Sequence, residues 1–240
     1  MVLQAGGSIG ENLRLVFERI RHATQQSGRP EGSVRLVAAT KSVGLDQIRE
    51  GITAGLMILG ENRLQEALPK IEALRGEPIQ WHFIGHLQRR KVRSVVGIFD
   101  LIQSVDSVEL AEEIDRRARE AGLTQAVLLE VNLEGEATKA GFLPDELEGA
   151  MPSLGALPHV AVKGLMAIPP PTSDPEQARP YFRRLRGLAR RLSRQQIGTV
   201  SLQELSMGMS NDYHVAVEEG ATMVRVGTAI FGARRAEPND

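Results

Sequence analysis

The 240-residue sequence predicts an α/β protein built as a single (β/α)8 TIM barrel with an extra N-terminal helix. Three observations carry that expectation. Short apolar runs alternate with helical patterns in eight successive units, the runs lack a polar face, and the eight units consume nearly the whole chain. Strict alternation demands parallel strands joined by crossovers, and strands apolar throughout demand cover on both faces. A barrel of this type takes ~250 residues, so residues 1–240 are expected to form one domain. An open doubly wound sheet is the alternative. The count of eight and the lack of a G-x-G-x-x-G at the first strand-helix turn argue against it.

The elements follow in chain order. Ser8 and Glu11 form a capping box, and Leu13, Val16, Phe17 and Ile20 then recur at helical spacing to about Gln26. VRLVAAT at 34–40 is the first strand and passes into a helix through Ile48 and Ile52. LMILG at 56–60 leads to a helix through Leu64, Leu68 and Ile71, and WHFIG at 81–85 to one through Val92 and Val95. IFDLIQSV at 98–105 precedes a helix through Leu110 and Ile114, and QAVLLEVNL at 125–133 precedes one around Leu147. VAVKGLMAI at 160–168 precedes a long helix from Glu176 to about Gln196, with Pro169 to Pro171 punctuating the loop between. SLQELSMG at 201–208 and TMVRVGTAIF at 222–231 are the last strands, separated by a helix to about Glu219 and followed by about one polar turn.

Composition removes several function classes. Without cysteine there is no disulfide framework, no thiolate metal site and no cysteine nucleophile. A net charge of -1 gives no global attraction to nucleic acid or anionic lipid. No segment reaches the ~18 apolar residues of a membrane span, and MVLQAGGSIGENL lacks the basic-then-apolar order of a secretory signal. A soluble, cytoplasmic protein is therefore expected. H-E-x-x-H and G-x-S-x-G are absent. His82 and His86 stand four apart, yet Phe83, Ile84 and Gly85 between them read as strand end and turn, so no metal is expected. Arg183, Arg184, Arg186, Arg190, Arg191 and Arg194 share a helix with Phe182, Leu185, Leu188 and Leu192 and read as its solvated face.

Barrels of this kind carry their chemistry at the carboxyl ends of the strands, often with a phosphate site after strands seven and eight. Lys41 closes the first strand, which places its ammonium at the mouth. Burial and neighbouring positive charge free such an amine for Schiff-base formation with a carbonyl cofactor; a solvated strand-end lysine is the plainer reading of position alone. On the eighth strand, Met223, Arg225 and Gly227 alternate with Val224 and Val226, so Arg225 points into the barrel if the valines face the helices. A guanidinium there needs an acceptor, either a carboxylate or a ligand. Gly227 permits close backbone approach to a phosphate and Thr228 adds a hydroxyl, while SMGMS at 206–210 offers Ser206 and Ser210 after strand seven. Asn62 in GENR is a further candidate at the mouth, with helix capping as its simpler role.

ATKSV around Lys41, GENRLQE at 60–66, WHFIGHLQRRK at 81–91, SVDS at 104–107, LLEVNLEGEATKAGF at 128–142, GLMAIPP at 164–170, ELSMGMSND at 204–212 and TMVRVGTAIFG at 222–232 resemble the pyridoxal phosphate homeostasis protein family, also called the YggS/PROSC type, in order along nearly the whole chain. The resemblance implies a fold type III barrel like the alanine racemase N-terminal domain, with pyridoxal 5'-phosphate (PLP) as cofactor and Lys41 as the Schiff-base lysine. It also implies Arg225 facing the pyridine nitrogen and Ser206, Ser210, Gly227 and Thr228 around the phosphate. Lys139 looks like a second lysine that the family offers as an alternative cofactor-reactive site. Arg89, Arg90 and His214 depart from residues common in the family, away from these contacts.

An arginine cannot give up its proton to the ring nitrogen at accessible pH, so the ring is a poorer electron sink than most pyridoxal enzymes use. Holding, buffering or delivering the cofactor for vitamin B6 balance is favoured over fast chemistry at Cα, with no catalytic residue assigned. The alternative is a PLP-dependent amino-acid racemase. Racemases of this fold type share the arginine but add a C-terminal β domain and a tyrosine base from the partner subunit. Here only Tyr181 and Tyr213 exist, and Tyr213 is the one that could approach the mouth. Expected partners are PLP and apo PLP-dependent enzymes, with no nucleic acid or membrane, and the expected state is a monomer.

Overall fold

In the computed structural model, which describes residues 7–136, 138–195, 197–198 and 200–232, eight parallel strands close into a barrel in sequence order. They are β1 (Arg35–Ala39), β2 (Ile58–Glu61), β3 (Gln80–Phe83), β4 (Leu101–Val105), β5 (Gln125–Glu130), β6 (Val160–Met166), β7 (Glu204–Ser206) and β8 (Met223–Val226). The seam that closes the barrel pairs Arg35 with Met223 and Val37 with Arg225.

Side-chain alternation sorts each strand into an inner and an outer row. Val37, Ile58, Leu101, Leu128, Met166 and Met223 form one buried cluster inside the barrel. Leu36, Ala38, Leu59, Val127, Leu129, Val224 and Val226 belong to the larger cluster that packs beneath the helices. Val224 and Val226 thus face outward, and Arg225 shares the inward parity of Met223.

The helices are α1 (Ile9–Gln26), α2 (Leu45–Thr53), α3 (Leu64–Ala73), α4 (Val108–Glu120), α5 (Pro144–Gly155), α6 (Arg179–Ser193), α7 (Tyr213–Glu218) and α8 (Thr228–Phe231). The capping box of α1 forms in both directions, with Glu11 N–H donating to Ser8 Oγ and Ser8 N–H to the Glu11 carboxylate. No described helix is long and apolar enough to cross a membrane.

Three expectations change. The segment through Val92 is a 3-10 helix over Arg89–Ser94 in place of an α-helix, closed by i to i+3 bonds such as Lys91 N–H to Gln88 carbonyl. The helix expected from Glu176 starts as a 3-10 turn at Pro175–Ala178 before α6; its proposed end at Gln196 lies outside the described residues. The eighth strand stops at Val226, and Thr228 to Phe231 coil into α8. An apolar run such as TAIF carries no period that separates strand from helix. The polar residues 233–240 expected as a last turn also lie outside the described residues.

Candidate cofactor site at the barrel mouth

Lys41 is half-buried in a turn just beyond β1, fastened on both sides. Before it, the Thr40 hydroxyl donates to Glu61 Oε1 at 2.7 Å, and the Thr40 carbonyl accepts from Lys70 Nζ at 2.7 Å. Lys70 also pairs with the fully buried Glu61 at 2.7 Å. After it, Ser42 sits in the left-handed region at φ 59° and donates its N–H to Glu66 Oε2 at 3.0 Å. A non-glycine residue there costs ~1–3 kcal/mol and persists only where its surroundings fix it. Carboxylates from β2 and α3 therefore decide how the Lys41 turn leaves the strand.

Across the mouth, Arg225 is buried. Its Nη1 donates to Ser206 Oγ at 2.6 Å and its Nη2 to the Ala167 carbonyl at 3.0 Å. Among the described residues both hydrogen bonds go to uncharged oxygens, and Arg225 makes no salt bridge. Burial lowers its pKa to about 10, against the pull of Glu130 and Asp212. It stays charged at neutral pH, and a guanidinium carries five N–H donors, so donors remain beyond these two. Burial pushes the Glu130 carboxyl up, with Asp106 adding to the effect while Arg225 and His86 oppose it. Burial also raises Asp212, against the Met209 backbone N–H and Arg225.

The loops after β7 and β8 meet at Ser210. Its Oγ accepts from Gly227 N–H at 3.2 Å and, more loosely, from Ala229 N–H at 3.4 Å, with Thr228 exposed between them. These three residues gather at one place. Ser206 does not join them, because its hydroxyl lies inside the barrel between Arg225 and Gln103. Asn62 lies beside Gly85, where a Cβ on the glycine would stand 2.3 Å from the Asn62 carbonyl oxygen. Asn62 does not cap α3: the N-cap is Arg63, and Asn62 Oδ1 is buried with no hydrogen-bond partner among the described residues. Lys139 pairs with Glu136 at 2.6 Å in the loop after β5.

Sequence reasoning missed Glu61, Lys70, Gln103 and Glu130. His82, which the sequence offers only as a metal-like partner of His86, lies buried inside the barrel, whereas His86 pairs with Asp106 at 3.2 Å. Tyr213 turns away from the mouth. It is buried beneath α1, where the Arg19 guanidinium lies 5.7 Å from its ring centre.

The chain matches the family described as alanine racemase, N-terminal domain, over residues 12–235. It is 48% identical over 225 residues to the pyridoxal phosphate homeostasis protein of Aquifex aeolicus, covering 94% of this chain and 98% of that protein. It is 42% identical over 228 residues to the protein of the same name from Pseudomonas aeruginosa, covering 95% and 96%. This chain belongs to the pyridoxal phosphate homeostasis protein family. This family member superposes on PipY of Synechococcus elongatus, solved with PLP bound, at a TM-score of 0.79 and 41% identity over 90% of this chain and all of that one. An alanine racemase of Clostridium difficile shares the fold at 16% identity and a TM-score of 0.68, and the match covers 57% of that longer chain.

Proposed function

We propose that this protein binds PLP covalently on Lys41 and buffers or delivers it as part of vitamin B6 homeostasis, with residues 1–240 acting as one barrel domain. The observation that carries the reading is Arg225, a buried guanidinium at the barrel mouth with hydrogen bonds only to uncharged oxygens. A charge in that position needs an acceptor, and the nitrogen of a pyridine ring supplies one without a proton of its own. Ser210, Gly227 and Thr228 would hold the phosphate through one hydroxyl pair and backbone N–H groups. Ser206 would serve the site through Arg225, and Asn62 would offer its unpartnered Oδ1. The cofactor supplies an aldehyde, and Lys41 supplies the amine that it traps.

Tyr213 favours holding over turnover. A racemase needs acid-base groups on both faces of Cα, and the tyrosine expected to serve the second face lies under α1. Apo PLP-dependent enzymes are the proposed recipients, and the proposed state is a cytoplasmic monomer. Borohydride treatment of the PLP-loaded protein followed by peptide mapping tests the reading. The cofactor is expected on the Lys41 peptide and lost in Lys41→Ala; a label that persists in that variant, on Lys139 for instance, overturns the assignment.

A further inference from the structure

Four buried side chains on four strands form one hydrogen-bonded line through the barrel interior, and its direction is fixed at one end. Arginine only donates, so Ser206 Oγ accepts from Arg225 Nη1 at 2.6 Å. The single Ser206 hydroxyl proton then goes to Gln103 Oε1 at 2.6 Å. The Gln103 amide nitrogen in turn donates to His82 Nδ1 at 2.9 Å, which requires the bare nitrogen of a neutral ring. Burial, reinforced by Arg35, lowers the His82 pKa to about 3, so the ring keeps that form throughout the neutral range. His82 also lines a cavity of about 400 Å³ together with Arg35, Lys163 and Glu204, where the line ends.

We propose that Gln103 and His82 are positioning residues that hold Arg225 toward the bound cofactor, an inference that rests on the PLP reading above. The physical reason lies in Ser206. A serine hydroxyl rotates freely unless its proton has an acceptor, and only when Gln103 takes that proton does a lone pair stay aimed at Arg225. Without it, the Ala167 carbonyl is the remaining hydrogen-bonded anchor of the guanidinium among the described residues. A donor fixed before binding loses less freedom when its ligand arrives. The line thus converts the neutral state of a histidine deep in the barrel into a fixed direction for a charge at the mouth.

The test is PLP binding to the full-length apo protein, read by equilibrium dialysis and by the position of the visible band of the bound cofactor. Gln103→Met keeps the unbranched shape and removes the hydrogen bonds to Ser206 and His82. It is expected to weaken retention roughly five- to tenfold, a typical size for a residue that acts through a neighbour, and to move the band. In an Arg225→Gln background the same substitution is expected to add nothing, because the residue it positions has gone. Wild-type retention and band in Gln103→Met, or additive losses in the double variant, would overturn the inference. If Gln103→Met does not fold, Ser206→Ala and Ser206→Thr pose the same question, with loss expected in the first and retention in the second. Equal affinity in those two refutes it. A wild-type protein that takes up no PLP defeats the underlying reading, and that failure shows at the first titration, before any variant is made.

Discussion

Lys70 Nζ donates to the Thr40 carbonyl and to Glu61 Oε1, each at 2.7 Å, so the residue before Lys41 is tied to an ion pair whose carboxylate is wholly buried. Removing the lysine alone leaves that carboxylate uncompensated, since Glu61 Oε2 already has no hydrogen-bond partner among the described residues. Breaking a buried pair from one side costs ~3–5 kcal/mol, whereas replacing both charges is often near neutral. Urea unfolding should therefore show Lys70→Met destabilised by about that amount. The Lys70→Met/Glu61→Gln double variant should recover most of it, because glutamine still accepts from Thr40. Equal losses in both would assign the cost to the lost Lys70–Thr40 hydrogen bond and lysine packing, not to an uncompensated carboxylate.

Arg225→Gln should weaken PLP retention while leaving the barrel folded. A hydrogen bond from a charged donor is worth ~1.5–3 kcal/mol, and the substitution also removes a buried charge whose pKa burial has already lowered to about 10. Equilibrium dialysis at matched pH measures the difference. Equal affinity would make Arg225 a structural residue held by Ser206 and Ala167.

The barrel was legible because the strands are predominantly apolar with no polar face, a pattern that demands cover on both faces. The inward aim of Arg225 was legible for a related reason: Val224 and Val226 flank it and belong outside. The interior polar line was not. Gln103 and His82 lie within IFDLIQSV and WHFIG, where a scattered polar side chain looks like noise until closure brings β3, β4, β7 and β8 together around it. Lys70 was hidden differently, since a lysine on an amphipathic helix normally faces solvent, and only the fold turns this one back to Thr40. Asn62 read as a helix cap because its residue type favours capping, yet α3 begins one residue later.

The neutral His82 makes stability depend on pH. Its folded pKa of about 3 lies below the unfolded value of 6.5, so the unfolded chain binds the extra proton between these limits and stability rises with pH there. The contribution is present above pH 6.5 and is lost as pH falls toward 3. Each unit is worth ~1.4 kcal/mol, so acidifying from pH 6.5 to 5 should remove about 2 kcal/mol on account of this residue. His214, also lowered by burial, acts in the same direction, while the raised Glu130 and Asp212 act against it. Comparing urea unfolding of wild type and His82→Gln isolates the contribution of this histidine. A wild-type slope that survives the substitution unchanged would assign it elsewhere.

Tyr213 decides between holding PLP and turning over amino acids, and its surroundings predict an inert role. Its ring is buried under α1 with Arg19 over the face, its hydroxyl makes no close hydrogen bond among the described residues, and burial raises its pKa against the weaker opposing pull of the Arg19 guanidinium that faces it. A general base must reach the proton it removes and titrate near the working pH, and this hydroxyl meets neither condition. A buried hydroxyl that makes no close hydrogen bond contributes little net stability, so Tyr213→Phe should change the unfolding free energy by less than ~1 kcal/mol in the destabilising direction. The same variant should leave solvent-deuterium incorporation at Cα unchanged across a panel of L- and D-amino acids, at a rate far below the ~10 s⁻¹ typical of enzymes. Exchange at an enzymatic rate in the wild type, abolished by Tyr213→Phe, would require α7 to swing its tyrosine from α1 to the mouth and would replace the proposed carrier role with that of a racemase.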